Sequence, residues 1–168
     1  MTERREVSIR AARVSDVADL DDLQRAIYRE GVAFVGDGPP STAAMERRLR
    51  FSDPQASLDL VALHGKDLVG WLELNRHVPE RLSHVAVLTL AVAPVARRMG
   101  IGRRLMHDAY AWCADVGVRK ISLDVRAGNA AAIALYRSEG FELEGRERAQ
   151  VRVAGGFEDN LIMGKWLG

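Results

Sequence analysis

Leu90-Ala91-Val92-Ala93-Pro94-Val95-Ala96-Arg97-Arg98-Met99-Gly100-Ile101-Gly102-Arg103-Arg104-Leu105 runs from an apolar strand through a glycine-bearing turn into an amphipathic helix. Val85 to Val92 is apolar on both alternating faces, the pattern of a strand covered on each side, and belongs at the centre of a sheet. From Ile101 onward Leu105, Ala109, Trp112, Cys113 and Val116 share one helical face, and Gly117 ends the helix before a strand at Ile121 to Val125. Strand, helix and strand in that order predict a right-handed parallel crossover. The first helical turn offers free main-chain N–H groups and the positive end of the helix dipole, and Gly100 and Gly102 admit close approach to the main chain. That combination is a phosphate cradle. It is not a P-loop, because no Gly-Lys-Ser or Gly-Lys-Thr follows, and it lacks the third glycine of a dinucleotide fingerprint at Leu105.

Working outward, Val7 to Arg10 reads as a first strand, and Ser15 or Asp16 can cap a helix whose apolar positions are Val17, Leu20, Leu23 and Ile27. Gly36-Asp37-Gly38-Pro39-Pro40 reads as a loop, after which Ser41 caps a second helix carrying Met45 and Leu49. Strands at Leu58 to Leu63 and Leu68 to Leu74 close through His64-Gly65-Lys66-Asp67. Beyond the crossover, Asn129 caps a helix through Tyr136 that Gly140 stops, and two last strands flank Ala154-Gly155-Gly156 as a hairpin. The expectation is a mixed α/β fold, a central sheet flanked by helices, in a single domain over 1–168.

Composition narrows the function. In 168 residues, 24 Lys plus Arg against 23 Asp plus Glu leave a formal charge of +1, with 48% apolar and 28% charged residues. Near-zero charge removes the field of a general nucleic-acid or anionic-membrane binder, and no aromatic residues interleave Arg97, Arg98, Arg103 and Arg104. The expected partner is a small molecule. Cys113 is the single cysteine, so no intramolecular disulfide or Cys-rich zinc site is expected, which fits a reducing cytoplasm. The charged start, Met-Thr-Glu-Arg-Arg-Glu, has no apolar run behind it, and no segment reads as a membrane span.

Val92-x-Pro94-x-x-Arg97-x-x-Gly100-Ile101-Gly102, then Asn129-Ala130-Ala131-Ala132-Ile133-Ala134-Leu135-Tyr136 and Gly140-Phe141, resembles the GCN5-related N-acetyltransferases (GNAT). The order of elements from Val7 to Trp166 resembles that family's plan as well. The resemblance implies acetyl-CoA as co-substrate and no metal. It gives the diphosphate to the main chain from Met99 through Ile101 to Arg103, with Arg98, Gly100, Gly102 and Arg103 as its holders and Arg97 as support. It implies a central strand that splays from its neighbour, so that pantetheine pairs with Leu90, Ala91 and Val92, while Asn129 and Ala132 bind the same arm and Tyr136 stands beside the sulfur. Arg98 departs from the pattern, since close relatives have glycine there.

Acetyl transfer from a thioester to an amine needs a neutral nucleophile, donors for the oxyanion and a proton for the thiolate. Tyr136 is the candidate acid, and the Leu90 or Ala91 N–H the candidate oxyanion donor. Three candidates stand for the base: Glu73 in an apolar strand beside Val69 and Trp71, His84 at the start of the central strand, and ordered water. Family position gives the acceptor groove to Tyr28 to Pro40 and Arg148 to Phe157. Arg76, Arg148 and Arg152 can meet a substrate carboxylate there, and Glu30 and Asp37 a second amine. Arg81 to His84 and Asp159 to Met163 resemble the amino-acid and phosphinothricin-type branch, which makes a small primary amine the expected acceptor. The alternatives are a protein N-terminal acetyltransferase and a noncatalytic acyl-CoA sensor. The resemblance also allows a homodimer through the final hairpin.

Overall fold

Seven strands assemble into one mixed sheet in a computed structural model that describes residues 6–168; the start of the chain, residues 1–5, lies outside the described residues. The strands are β1 (Val7–Ala11), β2 (Ser57–His64), β3 (Asp67–Arg76), β4 (Val85–Val92), β5 (Lys120–Arg126), β6 (Glu142–Val153) and β7 (Gly156–Trp166). They lie in the order β1-β2-β3-β4-β5-β7-β6, which puts β4 in the middle. Every neighbouring pair is antiparallel except β4 and β5, the pair joined by the crossover helix α3 (Ile101–Val116). Of the central strand only Ala86 and Leu88, on one face, are buried; Val85, Val87 and Thr89 to Val92 are partly buried, so the expected cover on both faces is incomplete.

The helices follow the caps read from sequence, with one exception. The Ser41 hydroxyl accepts from the Ala44 N–H at 3.2 Å to start α2 (Thr42–Arg50), and Asn129 Oδ1 accepts from the Ala132 N–H at 3.2 Å to start α4 (Ala130–Ser138). Left-handed glycines bound α3, Gly100 at φ 75° and Gly117 at φ 78°. Neither Ser15 nor Asp16 makes a side-chain cap on α1 (Val17–Arg29). Asp16 turns inward instead and accepts from Arg10 Nη1 and Nη2 and from the Arg13 N–H, each at 2.7 Å. A buried carboxylate is stable only with such donors, and here they tie β1 to the start of α1.

Two layers cover the sheet. Gly70 of β3 lies under α3, with its missing Cβ position 3.4 Å from Ile101 and 3.5 Å from Leu105, so the even-numbered positions of β3 face the crossover helix. The odd-numbered positions, including Trp71 and Glu73, face α1 and α2. Leu72, Leu74, Leu105, Met106, Ile121, Leu123 and Met163 are fully buried between the layers and form the core with Leu20, Leu23 and Ile27 of α1. Among the described residues, no helix is long and apolar enough to cross a membrane.

The Asp16 pair has a signed pH dependence. Hydrogen bonding from Arg10 first, then the Arg13 N–H, holds this carboxyl below its ordinary range against the opposing effect of burial. Its stabilisation is therefore complete above about pH 4, the unfolded value, and is lost as pH falls through the lower folded value. Urea unfolding of Asp16→Asn is expected to show a loss of about 2 kcal/mol at pH 7 that shrinks towards pH 2; an equal loss at both would contradict the assignment.

Candidate functional site: an open seam in the sheet

β4 and β5 pair only at Val85–Lys120, Ala86–Ile121 and Val87–Ser122. Beyond that point β5 continues with β7 as far as Arg126–Asn160, while β4 stays with β3 as far as Val92–Gly70. The two strands part and leave a seam. The register decides which groups line it. The His77 N–H donates to the Val85 carbonyl at 3.0 Å and the Ala93 N–H to the Val69 carbonyl at 2.7 Å, so odd-numbered residues of β4 exchange their hydrogen bonds with β3. The main-chain groups of Leu88, Leu90 and Val92 therefore point into the seam, whereas those of Ala91 face Trp71. Of the expected pairing residues, Leu90 and Val92 offer open amides and Ala91 does not. Unpaired strand groups of this kind recruit an extended partner.

At the end of β4 the chain passes Pro94–Ala96, a single 3-10 turn, and then takes left-handed conformations at Arg98 (φ 66°) and Gly100 (φ 75°). The N–H groups of residues 98–103 make no hydrogen bond to any described residue, and the first helical bond of α3 is Arg104 N–H to the Gly100 carbonyl at 3.1 Å. Consecutive N–H groups in alternating hands form an anion-binding concavity. The two glycines serve it differently. Nothing lies within 4 Å of a Cβ at Gly100, so glycine is needed there for its φ. A Cβ at Gly102 would lie 2.9 Å from Leu135 Cδ2, so glycine there makes room for helix α4, while its N–H stays among the free ones. Ile101 contributes only its N–H, because its side chain is buried, while Met99 is exposed.

The arginines around the turn also divide. Arg97 supports it, with Nε donating to the Val92 carbonyl at 3.1 Å and the fork to both oxygens of Glu30 at 3.0 and 2.5 Å. Arg103 is paired to Glu139 at 2.6 Å and donates to Ser138 Oγ at 3.1 Å. Arg104 donates to the Val7 carbonyl at 2.9 Å. Arg98 alone of the four has no partner among the described residues.

Tyr136 is buried on α4, 5.6 Å from the Phe141 ring, and burial pushes its phenol up to about 12. Its hydroxyl makes no hydrogen bond to any described residue. Asn129 spends its carbonyl on the Ala132 N–H, which leaves its amide nitrogen to donate. Glu73 stands opposite Thr89, one position from Leu90. Its carboxyl is pushed up chiefly by burial, with Asp59 directly opposite on β2 adding to the rise and Arg48 opposing it. The guanidinium of Arg48 is held by Asp59 at 2.8 Å and Asn75 at 2.9 Å, and approaches Glu73 only to 3.8 Å.

His84 is not brought to this place. Its carbonyl accepts from Arg119 and Lys120 at the paired end of β4, and its ring meets Trp166, roughly 20 Å along the strand from Leu90. Cys113 is fully buried with its thiol pushed up to about 11, which leaves it no nucleophilic role. Among the groove candidates, Arg76 is taken by the Ser83 carbonyl and Glu30 by Arg97, Arg152 lies 5.9 Å over the Phe157 ring, and Arg148 and Asp37 are exposed. One carboxylate was missed in the sequence. Asp124 of β5 shares the face of Thr89 and Glu73 where the seam opens, exposed and 3.4 Å from Asn160 Nδ2. The signal was present in the alternation Ile121-Ser122-Leu123-Asp124-Val125, which gives Asp124 a polar face. Among the described residues, no three or more His, Cys, Asp or Glu side chains converge to hold a metal.

The sequence model of the acetyltransferase (GNAT) family matches residues 18–141. The chain is 38% identical over 134 residues to the N-alpha-acetyltransferase RimI of Mycobacterium tuberculosis, covering 80% of this chain and 81% of that protein. It is 31% identical over 117 residues to the L-amino acid N-acetyltransferase AaaT of Escherichia coli K12, covering 69% and 72%. In structure it matches a phosphinothricin acetyltransferase from Sinorhizobium meliloti in complex with AcCoA, with TM-score 0.87 and 26% identity over 96% of this chain and 89% of that one.

Arg98 is exposed, has no partner among the described residues, and holds a left-handed backbone conformation that costs an L residue stability. Arg98→Gly is expected to keep or raise the melting temperature while weakening coenzyme A binding about fivefold by calorimetry. Unchanged affinity would remove Arg98 from the anion site.

Proposed function

The chain belongs to the acetyltransferase (GNAT) family and is an acetyl-CoA-dependent N-acetyltransferase, and from that premise we propose that it acetylates the primary amine of a small molecule, an amino acid or a related amine. The seam carries the reading. A strand edge open at Leu90 and Val92 leads to a turn whose N–H groups from residue 98 to 103 are free, so an extended amide-bearing arm and a diphosphate fit one continuous track of main-chain groups. Arg98 adds a charge, and the Asn129 amide a donor, on the same track.

In this reading acetyl-CoA supplies an activated thioester, and three groups of the chain act on the transfer. Glu73, whose desolvated carboxylate binds protons more tightly than usual, takes the proton of the acceptor ammonium directly or through water. The freed amine attacks the carbonyl carbon, and the Leu90 N–H donates to the oxygen as it becomes anionic. As the carbon–sulfur bond breaks, the protonated Tyr136 phenol gives its proton to the departing thiolate. Arg48 and Asp59 hold opposite signs on either side of Glu73 and keep it between the free and fully paired states.

A small acceptor is favoured by the segment after α1. Phe34 stacks 4.9 Å from Tyr28 and 5.7 Å from Trp71, and its carbonyl accepts from Arg126 of β5 at 3.5 Å, so this segment crosses the seam on the face that Glu73 shares. A bridged groove suits a compact amine better than a long peptide. The second reading, a peptide or protein N-terminus, has support from the likeness to an N-alpha-acetyltransferase. A cytoplasmic setting and a homodimer through the β6–β7 hairpin belong to the same proposal, the latter checked by sedimentation.

Mass spectrometry of products from a panel of free amino acids, polyamines, aminoglycosides and peptides is expected to find an acetylated amino acid; acetylation of peptides alone would move the assignment to the second reading. Tyr136→Phe is expected to lower kcat about a hundredfold with acetyl-CoA affinity within about twofold, because a proton donor is lost and little contact area. In Glu73→Gln the rise of kcat/KM with pH, which lies above the ordinary carboxylate range, is expected to disappear. An unaltered profile would pass the role to water or to Asp124, the other carboxylate on that face.

A further inference from the structure

Arg126 is buried, together with Asp16, Gln24 and Asn160 among the described polar residues, and no step of acetyl transfer uses it. It ends β5, on the stretch where that strand has left β4. Its Nε and Nη2 donate to Glu158 Oε2 of β7 at 3.1 and 2.6 Å, and its Nη1 donates to the Gly31 carbonyl and, at 3.5 Å, to that of Phe34. A second observation comes from another part of the chain. Glu158 Oε1 accepts from the Gly128 N–H, and a Cβ on residue 128 would lie 2.5 Å from that oxygen. Residue 128 is therefore glycine because a carboxylate occupies the place of its side chain. Gly128 directly precedes Asn129, the cap of α4 and a donor on the proposed cofactor track.

One ion pair, buried at Arg126 and half-buried at Glu158, thus joins the segment after α1, the end of β5, the turn before α4 and strand β7. Residues 31–40 form no helix or strand, and Val32 and Val35 are exposed, so this segment reaches the core through Ala33 and the Phe34 ring. A planar guanidinium suits the task, since it can hold a carboxylate along one edge and two carbonyls along another. Removing it would leave Glu158, half-buried beside Gly128, without its counter-charge.

We propose that Arg126 and Glu158 are positioning residues that fasten residues 31–34 across the acceptor side of the seam and fix that segment and the Gly128–Asn129 turn in one arrangement. The proposal rests on the reading that this face receives the amine. It makes acceptor binding depend on a contact remote from the reacting atoms, and it predicts that a methyl group on Gly128 acts on the loop as loss of Arg126 does.

The test is hydrogen exchange on the full chain saturated with acetyl-CoA, comparing wild type with Arg126→Gln, Arg126→Lys and Gly128→Ala. Exchange of the amides from 31 to 36 is expected to accelerate about tenfold in Arg126→Gln and in Gly128→Ala, and less in Arg126→Lys, with α3 and β3 unchanged. With the mixed amine panel as acceptor, the half-saturating concentration is expected to rise about tenfold in Arg126→Gln while the plateau rate of CoA release changes less than about threefold. Unchanged exchange at 31–36, or equal acceleration throughout the chain, overturns the proposal. Should Arg126→Gln fail to fold, Gly128→Ala keeps every charge and decides it. A wild-type chain that releases no CoA with any amine sinks the proposed activity, a result distinct from unchanged exchange, which sinks the fastening alone.

Discussion

The site exists because β4 and β5 stay side by side for only three residue pairs. Beyond Val87 and Ser122, β5 follows β7, its partner along the whole strand on the opposite edge, while β4 follows β3, and the two diverge. Leu90 and Val92 are left with main-chain N–H groups that neither β3 nor β5 satisfies, in the half-buried end of the strand. An open strand edge of this kind accepts an extended partner through main-chain hydrogen bonds. Everything else in the site is arranged along that opening: the free N–H turn at one end, Tyr136 and Asn129 on the helix that follows β5, and Glu73 and Asp124 on the acceptor face.

Charge around the opening is mostly already spoken for. Arg97, Arg103 and Arg104 are tied to Glu30, Glu139 and Val7, and Arg48 is shared by Asp59 and Asn75. These pairs brace elements against one another, which is why a cluster of arginines in this chain is not a general anion surface. Arg98 remains, in a backbone conformation that an L residue adopts only at a cost. Glu73 lies in an intermediate state, close to a guanidinium but outside hydrogen-bond distance, so its proton affinity is set by desolvation more than by pairing.

Local chemistry made much of this legible in the sequence. Ser41 and Asn129 cap as read, Gly100 and Gly117 bound α3, and the apolar run from Val85 to Val92 is the middle strand. What escaped depends on partners distant along the chain. Asp16 has the composition of a cap but finds Arg10 instead, a contact that only the docking of β1 creates. His84 and Glu73 are both titratable residues near the central strand, and only the register shows that Glu73 lies beside Leu90 and His84 at the opposite end. The same register separates Leu90 from Ala91, adjacent residues whose amides point to opposite sides. Arg126, Glu158 and Gly128 carried no signal, because each is explained only by the other two.

The glycines of the site show how the two substrate halves are encoded. Gly100 is required by a dihedral angle, Gly102 by the Leu135 side chain of α4, and Gly128 by the Glu158 carboxylate. The first two belong to the proposed cofactor track, where main-chain dihedrals at Gly100 and packing against α4 at Gly102 set the limits. The proposed acceptor face is built differently, from the side chains of Tyr28, Phe34, Glu73 and Asp124. Substitution there alters shape and charge without disturbing the seam. A chain of this design can keep its hold on one invariant ligand while its preference among amines changes, and the Arg126 pair is where the variable half is attached to the fixed one.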